Sequence, residues 1–303
     1  MAGRGWNKRG YGCAVADGVC LAVGVQYRAA EHRLCVDYAQ AGNLDDRKFV
    51  SDLVRALGRK PFWVSLSSAL ANECGDVKLC AIDDADGKLR GSELTQAMIS
   101  QMQAIEANKT GDYVRTKAFF ALNNRKKHVV GASVPQAAVN KTVELWSKHG
   151  VLNPCVGSLR AAVVNVFLAL HPEARAADPT HRLLAYRAED ADYFCYLRNM
   201  ALVDSGGSSG TDHGVDSLLD HLGAWGHEFA QKYQLTQNDG VRAYVIGSEP
   251  PAPETEEHAG ENLEFWTVPW DTAVTFKTAT VREDVFAHRK LAIPAFGLAL
   301  HGV

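Results

Sequence analysis

The densest run of chemistry-bearing side chains is Ile82-Asp-Asp-Ala-Asp-Gly-Lys-Leu-Arg-Gly-Ser-Glu93, which carries much of the oxygen spacing of a calcium loop. Asp84 and Asp86 fall on the third and fifth positions of such a loop, Gly87 on the sharp turn and Glu93 on the closing bidentate position. The first ligand position is Ile82, whose side chain has no oxygen, and Lys78–Ile82 reads as a strand where a helix should enter. The segment therefore predicts a hairpin turn at Asp86-Gly87 leading into a capped helix, with no calcium. A second concentration places His213, His221 and His227 among Asp212, Asp216, Asp220 and Glu228. His221 and His227 stand roughly 120° apart on a helix of about 3.6 residues per turn, and no H-E-x-x-H pattern occurs. A solvated helix face is expected there, and no metal. Ser67-Ser68 and the glycine-rich stretch near Ser208 lack the G-x-S-x-G frame of a nucleophile elbow. Arg125-Lys-Lys-His128 reads as a charged loop between strands, with an acidic partner or lipid as the alternative. The seven cysteines show neither C-x-x-C pairing nor a histidine at metal spacing, so they read as buried, reduced thiols.

The elements that must position these groups follow from periodicity. Two apolar runs within residues 11–38 break at Asp17-Gly18, a hairpin signal, and Arg33–Tyr38 adds a strand. Asp45-Asp46 caps a helix with Phe49, Leu53 and Leu57 at helical spacing, Gly58 stops it, and Pro61–Leu66 reads as a buried strand. The same order returns later. Arg182–Arg187, Ala191–Leu197 and Ala201–Val203 read as strands, the last ending in a loop over Asp204–Asp212. A helix then spans Val215–Tyr233, and Val241–Ile246 is again a strand. Two units of one order predict a duplicated α/β architecture.

A differently organised stretch separates them. It holds a strand at Lys78–Ile82, a helix capped by Ser92 and carrying Leu94, Met98, Met102 and Ile105, strands at Val114–Leu122 and His128–Val134, and a helix at Gln136–His149. Another apolar helix spans Leu159–Leu170, and the polar, proline-bearing His171–Thr180 marks a boundary. The expected division is a basic tail at 1–10, a first lobe at 11–76, an insert at 77–150, and a second lobe at 151–303 that includes the C-terminal helix.

Length and composition agree with two lobes. A chain of 303 residues exceeds the usual single core, and 47% hydrophobic with 22% charged residues is ordinary for a globular protein. The net charge of −3 gives no footprint for nucleic acid. No run of about 18 apolar residues occurs, so no membrane span is expected. The basic start MAGRGWNKRGYG lacks an apolar core and does not read as a secretory signal.

The last ten residues, Pro294-Ala-Phe-Gly-Leu-Ala-Leu-His-Gly-Val303, resemble the closing helix of PilM-type proteins, the actin-like cytoplasmic adaptors of type IV pilus machines. The stretch Val129–Val156 is similar to the strand, helix and Gly-Leu-x-Pro turn of that family, here Gly150-Val-Leu-Asn-Pro154. The resemblance covers nearly the whole chain and extends to the cytoplasmic region of the secretion protein GspL and, more distantly, to FtsA. It implies an α/β, actin-like (ribonuclease H-like duplicated) two-lobed fold with an inserted PilM-type subdomain. It also implies a cytoplasmic location at the inner face of the membrane. The implied partners are the N-terminal peptide of a PilN-like membrane protein and the platform and motor proteins of a pilus or type II secretion system.

Where the family pattern for phosphate is D-I-G-x-x-x-I-K, its aspartate falls on Ala14, its glycine on Ala16 and its lysine on Leu21. No D-x-G survives near Leu184–Glu189, and of the adenosine-side glycine pair only Gly247 remains, followed by Ser248 and Glu249. The resemblance thus leaves Asp17, Gly18, Gly247 and Ser248 as vestigial nucleotide positions, although a plain turn is the simpler reading of Asp17-Gly18, and a pseudo-ATPase without ATP or Mg²⁺ is expected. An extended peptide would be taken between the first lobe and the insert. Leu94, Met98, Phe119 and Phe120 are the groove candidates, with a subdomain core as their alternative role. The competing readings are an active actin-like ATPase or sugar-kinase-like enzyme, and an unrelated α/β module.

Overall fold

A computed structural model describes residues 9–16, 18–28, 31, 33–58, 60–65, 78–81, 92–93, 95–97, 99–100, 113–120, 128–171, 181–188, 191–198, 201–209, 215–236, 239–247 and 262–303. In chain order the strands and helices are β1 (Arg9–Ala16), β2 (Val19–Arg28), β3 (Arg33–Asn43), α1 (Arg47–Leu57), β4 (Phe62–Ser65), β5 (Lys78–Ala81), β6 (Tyr113–Phe120) and β7 (His128–Pro135). Next come α2 (Gln136–Lys148), β8 (Cys155–Gly157), α3 (Leu159–Leu170), β9 (His181–Arg187), β10 (Ala191–Arg198), β11 (Ala201–Ser209) and α4 (Val215–Tyr233). The chain closes with β12 (Val241–Gly247), β13 (Leu263–Thr267), α5 (Trp270–Ala273), β14 (Val274–Phe276), α6 (Ala279–Ala287), α7 (Arg289–Ala299) and a single 3₁₀ turn over Leu300–Gly302. It forms two compact units, the first from Met1–Leu70, Val139–His171 and Thr267–Val303, the second from Ala71–Ala138 and Pro172–Trp266.

In the first unit six strands lie in the order β14-β3-β2-β1-β4-β8. β1 and β2 are antiparallel with Ala16 opposite Val19, so a two-residue turn joins them, and Gly18 there takes φ +75°, a conformation glycine adopts freely. α1 forms where expected. Asp46 caps it by accepting from the Lys48 amide at 2.8 Å, and Phe49, Leu53 and Leu57 are buried. That stripe packs with Tyr11, Cys13, Cys20 and Ala22 from one face of the sheet and with Phe62, Trp146 and Val151.

The opposite face is covered by α7, which approaches closely. A Cβ on Gly12 would lie 2.2 Å from the Ala295 carbonyl oxygen, and one on Gly297 would lie 2.0 Å from that of Ala162 on α3. The sequence reading placed this C-terminal helix, and residues 151–171, in the second lobe. Both belong to the first unit, because glycines on strand and helix let backbone meet backbone there. The expected boundary at 150/151 is corrected accordingly.

The second unit repeats the plan. Its five strands lie β11-β10-β9-β12-β13, with β9 antiparallel to β10 and parallel to β12, as β1 is antiparallel to β2 and parallel to β4. α4 covers one face through Leu218, Leu222 and Phe229 against Leu183, Ala185, Phe194, Tyr196 and Val245. The duplication read from element order is therefore present at the level of sheet topology.

One element departs from expectation. Asp204–Ser209 is strand, not loop: β11 pairs with β10 through Gly207 opposite Tyr193 and Gly206 opposite Phe194. The glycines are there for packing. A Cβ on Gly206 would lie 2.3 Å from Nε1 of Trp225, which stacks on Phe194 at 5.5 Å between ring centroids. A second, three-stranded sheet in this unit has the order β5-β7-β6, both pairings antiparallel.

Candidate functional site

The first hairpin places its chemistry where hydrophobic packing already claims it. Ala14 stands opposite Leu21, and both are buried. Residues directly opposite share a face of an antiparallel pair, and Gly12, two residues from Ala14, lies on the face against α7. Leu21 is thus a core side chain under the C-terminal helix, without charge. Behind the sheet Cys13 and Cys20 touch each other, and burial together with that contact raises the Cys13 thiol well above its ordinary pKa. It is an inert buried thiol. Gly18 forms the turn, while Asp17 lies outside the described residues.

The equivalent hairpin of the second unit carries an ion cluster that sequence reasoning missed. Arg187 and Asp192 face each other across β9 and β10, and the guanidinium forks onto the carboxylate with Nε to Oδ1 at 2.6 Å and Nη2 to Oδ2 at 2.8 Å. His221 on α4 adds a third bond, its Nδ1–H donating to Oδ2 at 2.8 Å. Burial alone would raise the Asp192 pKa, but the hydrogen bonds and charges of Arg187 and His221 outweigh it and hold the carboxyl below its usual value. Both oxygens of Asp192 are engaged by protein donors, so the cluster serves as a clamp between hairpin and helix. A signal for the pair existed in the sequence: Arg187 and Asp192 carry opposite charges on either side of the break between two predicted strands. The histidine contact depends on how α4 packs, which the sequence does not display.

The remaining sequence candidates divide by location. Gly247 ends β12, half-buried, and Ser248 lies outside the described residues. The calcium-like loop from Ile82 to Gly91 also lies outside them, while Ser92 and Glu93 are exposed. His213 is outside the set, and His227 pairs with Gln231 at 3.0 Å. Among the described residues no three metal-ligating side chains converge. Leu94 and Met98 fall outside the set, as do Ser67-Ser68 and Arg125–Lys127. The backbone of Phe119 and Phe120 runs on β6, opposite Val129 and His128, with side chains outside the set. Among the described residues β6 pairs on one side only, leaving its other row of N–H and C=O groups open.

A nucleotide and its metal require amides at two turns, a lysine or equivalent charge, and carboxylates free to hold Mg²⁺. Ala14, Ala16 and Leu21 supply no charge, and the carboxylate of Asp192 already holds Arg187 and His221. These residues do not fit the group.

The architecture defines a class: a duplicated, actin-like α/β protein carrying an inserted small sheet. More particularly, the chain has the PilM-type form of that fold. It is similar to a chain of the PilM–PilN type IV pilus biogenesis complex, with 15% identity over 97% of this chain and 98% of that one, at a TM-score of 0.58. A protein of actin-like ATPase fold and unknown function from Bacteroides thetaiotaomicron matches with 7% identity over 95% and 98% of the two chains, TM-score 0.47. The cytoplasmic domain of EpsL, an inner-membrane component of the type II secretion system of Vibrio cholerae, matches with 8% identity over 92% and 95%, TM-score 0.43. At those two scores the likeness adds nothing to the fold assignment. No protein-family model and no curated protein matches the sequence.

Proposed function

We propose that this protein is a catalytically inert adaptor of a pilus-type or secretion-type assembly platform. It would sit at the inner face of the membrane and hold the short N-terminal segment of a PilN-like membrane partner, which it links to the platform and its motor. The observation that carries this reading is that β6 of the inserted sheet pairs with β7 alone among the described residues, since a strand edge takes an extended peptide by main-chain hydrogen bonds without any catalytic group. The PilM-type fold supports the same reading. Among the described residues no helix is long and apolar enough to cross a membrane, which suits attachment through a partner.

Co-expression with a PilN-like, single-span membrane protein tests this role. The protein is expected in the membrane fraction, and in the supernatant once the partner's N-terminal segment is deleted. Unchanged sedimentation after that deletion would count against it.

Mg-ATP is expected to leave the protein unmoved. A ligand at a hundred times its Kd raises stability by about 2.7 kcal/mol, so millimolar Mg-ATP should produce no rise in Tm and no steady phosphate release. Either signal would instead favour the enzyme reading, an active ATPase or sugar-kinase-like protein.

A further inference from the structure

The two units differ sharply in charge. The stretches that form the first carry seventeen lysines and arginines against ten aspartates and glutamates, a net charge of +7. Those of the second carry fifteen against twenty-five, a net of −10. The near-neutral total of −3 is thus the sum of a basic unit and an acidic one.

Strand register gathers cations at one end of the first sheet. Arg9 starts β1 opposite Gln26, and Arg28, on the same face of β2 as Gln26, stands opposite Arg33 at the start of β3. Lys60, just ahead of β4, reaches the Tyr11 ring at 5.4 Å, and Arg9 lies over the same ring at 4.5 Å. The Tyr11 hydroxyl donates to the Ala56 carbonyl at 3.2 Å, which brings the last turn of α1, with Arg55, to this end as well. Three carboxylates offset these five cations, each already engaged: Asp37 by Arg9 at 2.8 Å, Glu31 by Arg28 at 3.2 Å and Asp52 by Arg55 at 3.3 Å. Asp271, ahead of the neighbouring β14, is held by Arg282 at 2.8 Å. Arg33 and Lys60 are exposed and make no ion pair among the described residues, so the surplus is positive. Their chain neighbours extend it in sequence: Lys8 precedes Arg9 and Arg59 precedes Lys60, both outside the described residues. Next to Arg28, Tyr27 is 40% exposed, one of only two large apolar side chains so exposed among the described residues.

We infer that this end of the first unit rests on the anionic headgroups of a bilayer, Arg33 and Lys60 by charge and Tyr27 by its ring. The inference deepens the membrane location proposed above by naming the face that meets the surface. A folded acidic partner would need an apolar core at the contact, and this end offers one amphipathic ring, which suits the headgroup layer. Such a contact is released by salt, so it orients a chain held through its partner and does not replace that hold.

Sedimentation of the purified full chain with vesicles, in the absence of any partner, tests it. Binding is expected with phosphatidylglycerol vesicles and not with phosphatidylcholine ones. It should fade between about 0.1 M and about 1 M salt, as the screening length falls from about 10 Å to about 3 Å. Arg33→Glu with Lys60→Glu should weaken it about tenfold or more, since each cation near such a surface contributes about fivefold. Lys48→Glu with Lys148→Glu makes the same change in net charge beyond the other end of β3, where Lys148 borders Leu44 and Asp45, and should weaken it far less. Tyr27→Ser should also reduce binding. Arg33→Gln with Lys60→Gln serves if the charge reversal melts early. Equal binding to both lipids, binding to neither, or equal loss in the two pairs of variants would overturn the inference. So would capture of polyglutamate without vesicle binding, lost in Arg33→Glu with Lys60→Glu, because the face would then take an acidic protein. With no partner present, failure here leaves the peptide-holding role standing, and failure to hold the peptide leaves this result untouched.

Discussion

Gly297→Ala is expected to destabilise the first unit by about 3 kcal/mol, lowering Tm by roughly 6–12 °C. The added methyl would stand 2.0 Å from the Ala162 carbonyl oxygen and 2.5 Å from its carbon, so the obstacle is backbone and cannot rotate aside. α7 must then lift from α3, and the face that covers Gly12, Ala14 and Leu21 loses its fit. Gly223→Ala is the matched control. It sits within α4 with nothing inside 4 Å of the new methyl, and the better helix former should raise stability by up to about 1 kcal/mol. Urea unfolding of both variants reads the contrast. Equal, small effects would mean that the C-terminal helix does not pack this closely.

Acid is expected to weaken the fold through a histidine at the far end of the same packing. His301 follows α7, with its ring 4.7 Å from that of Trp63 between centroids and the Asn165 amide donating toward Nε2 at 3.5 Å. Burial pushes its pKa down from 6.5 to about 4. The folded state therefore resists the proton that the unfolded chain accepts. Its contribution is fully present above pH 6.5 and is lost as pH falls toward 4. Since the residue keeps some accessible surface, the loss is set at about 2–3 kcal/mol. His181 in the second unit acts in the same direction, its pKa lowered by burial and by Arg198 against a weaker pull from Asp239. Unfolding midpoints of wild type and His301→Gln at pH 7 and pH 4.5 separate the two contributions. The variant should lose clearly less stability than wild type, and parallel losses would remove His301 from the account.

Local physics made much of this fold legible. The β1–β2 hairpin with its Gly18, the Asp46 cap with its Phe49, Leu53, Leu57 stripe, and the repeated strand–strand–strand–helix–strand order are all short-range signals, and each stands in the structure. Asp204–Ser209 was misread because glycine and serine lower strand propensity. Only the tertiary position of Trp225 over Gly206 explains why small residues suit a strand there. The C-terminal helix was legible as a helix, but not its destination. Close approach through Gly12 and Gly297 joins residues nearly the whole chain apart, and no periodicity encodes that. For the site, the missing groups at Ala14, Ala16 and Leu21 were visible at once as side-chain chemistry. The Arg187–Asp192–His221 clamp was not, since half of it depends on the packing of α4.

The proposed role of an inert adaptor that grips a partner's peptide is tested most directly by titration calorimetry with that peptide. The ligand is a synthetic copy of the short N-terminal segment of a PilN-like, single-span membrane protein. A Kd near micromolar, about −8 kcal/mol, is expected from main-chain bonds and a few apolar anchors. It should be the same with and without Mg-ATP, and weaker for Phe119→Glu or Met98→Glu when circular dichroism shows the variant folded. No heat and no competition from protein verified as folded, or binding that appears only with Mg-ATP, would contradict it.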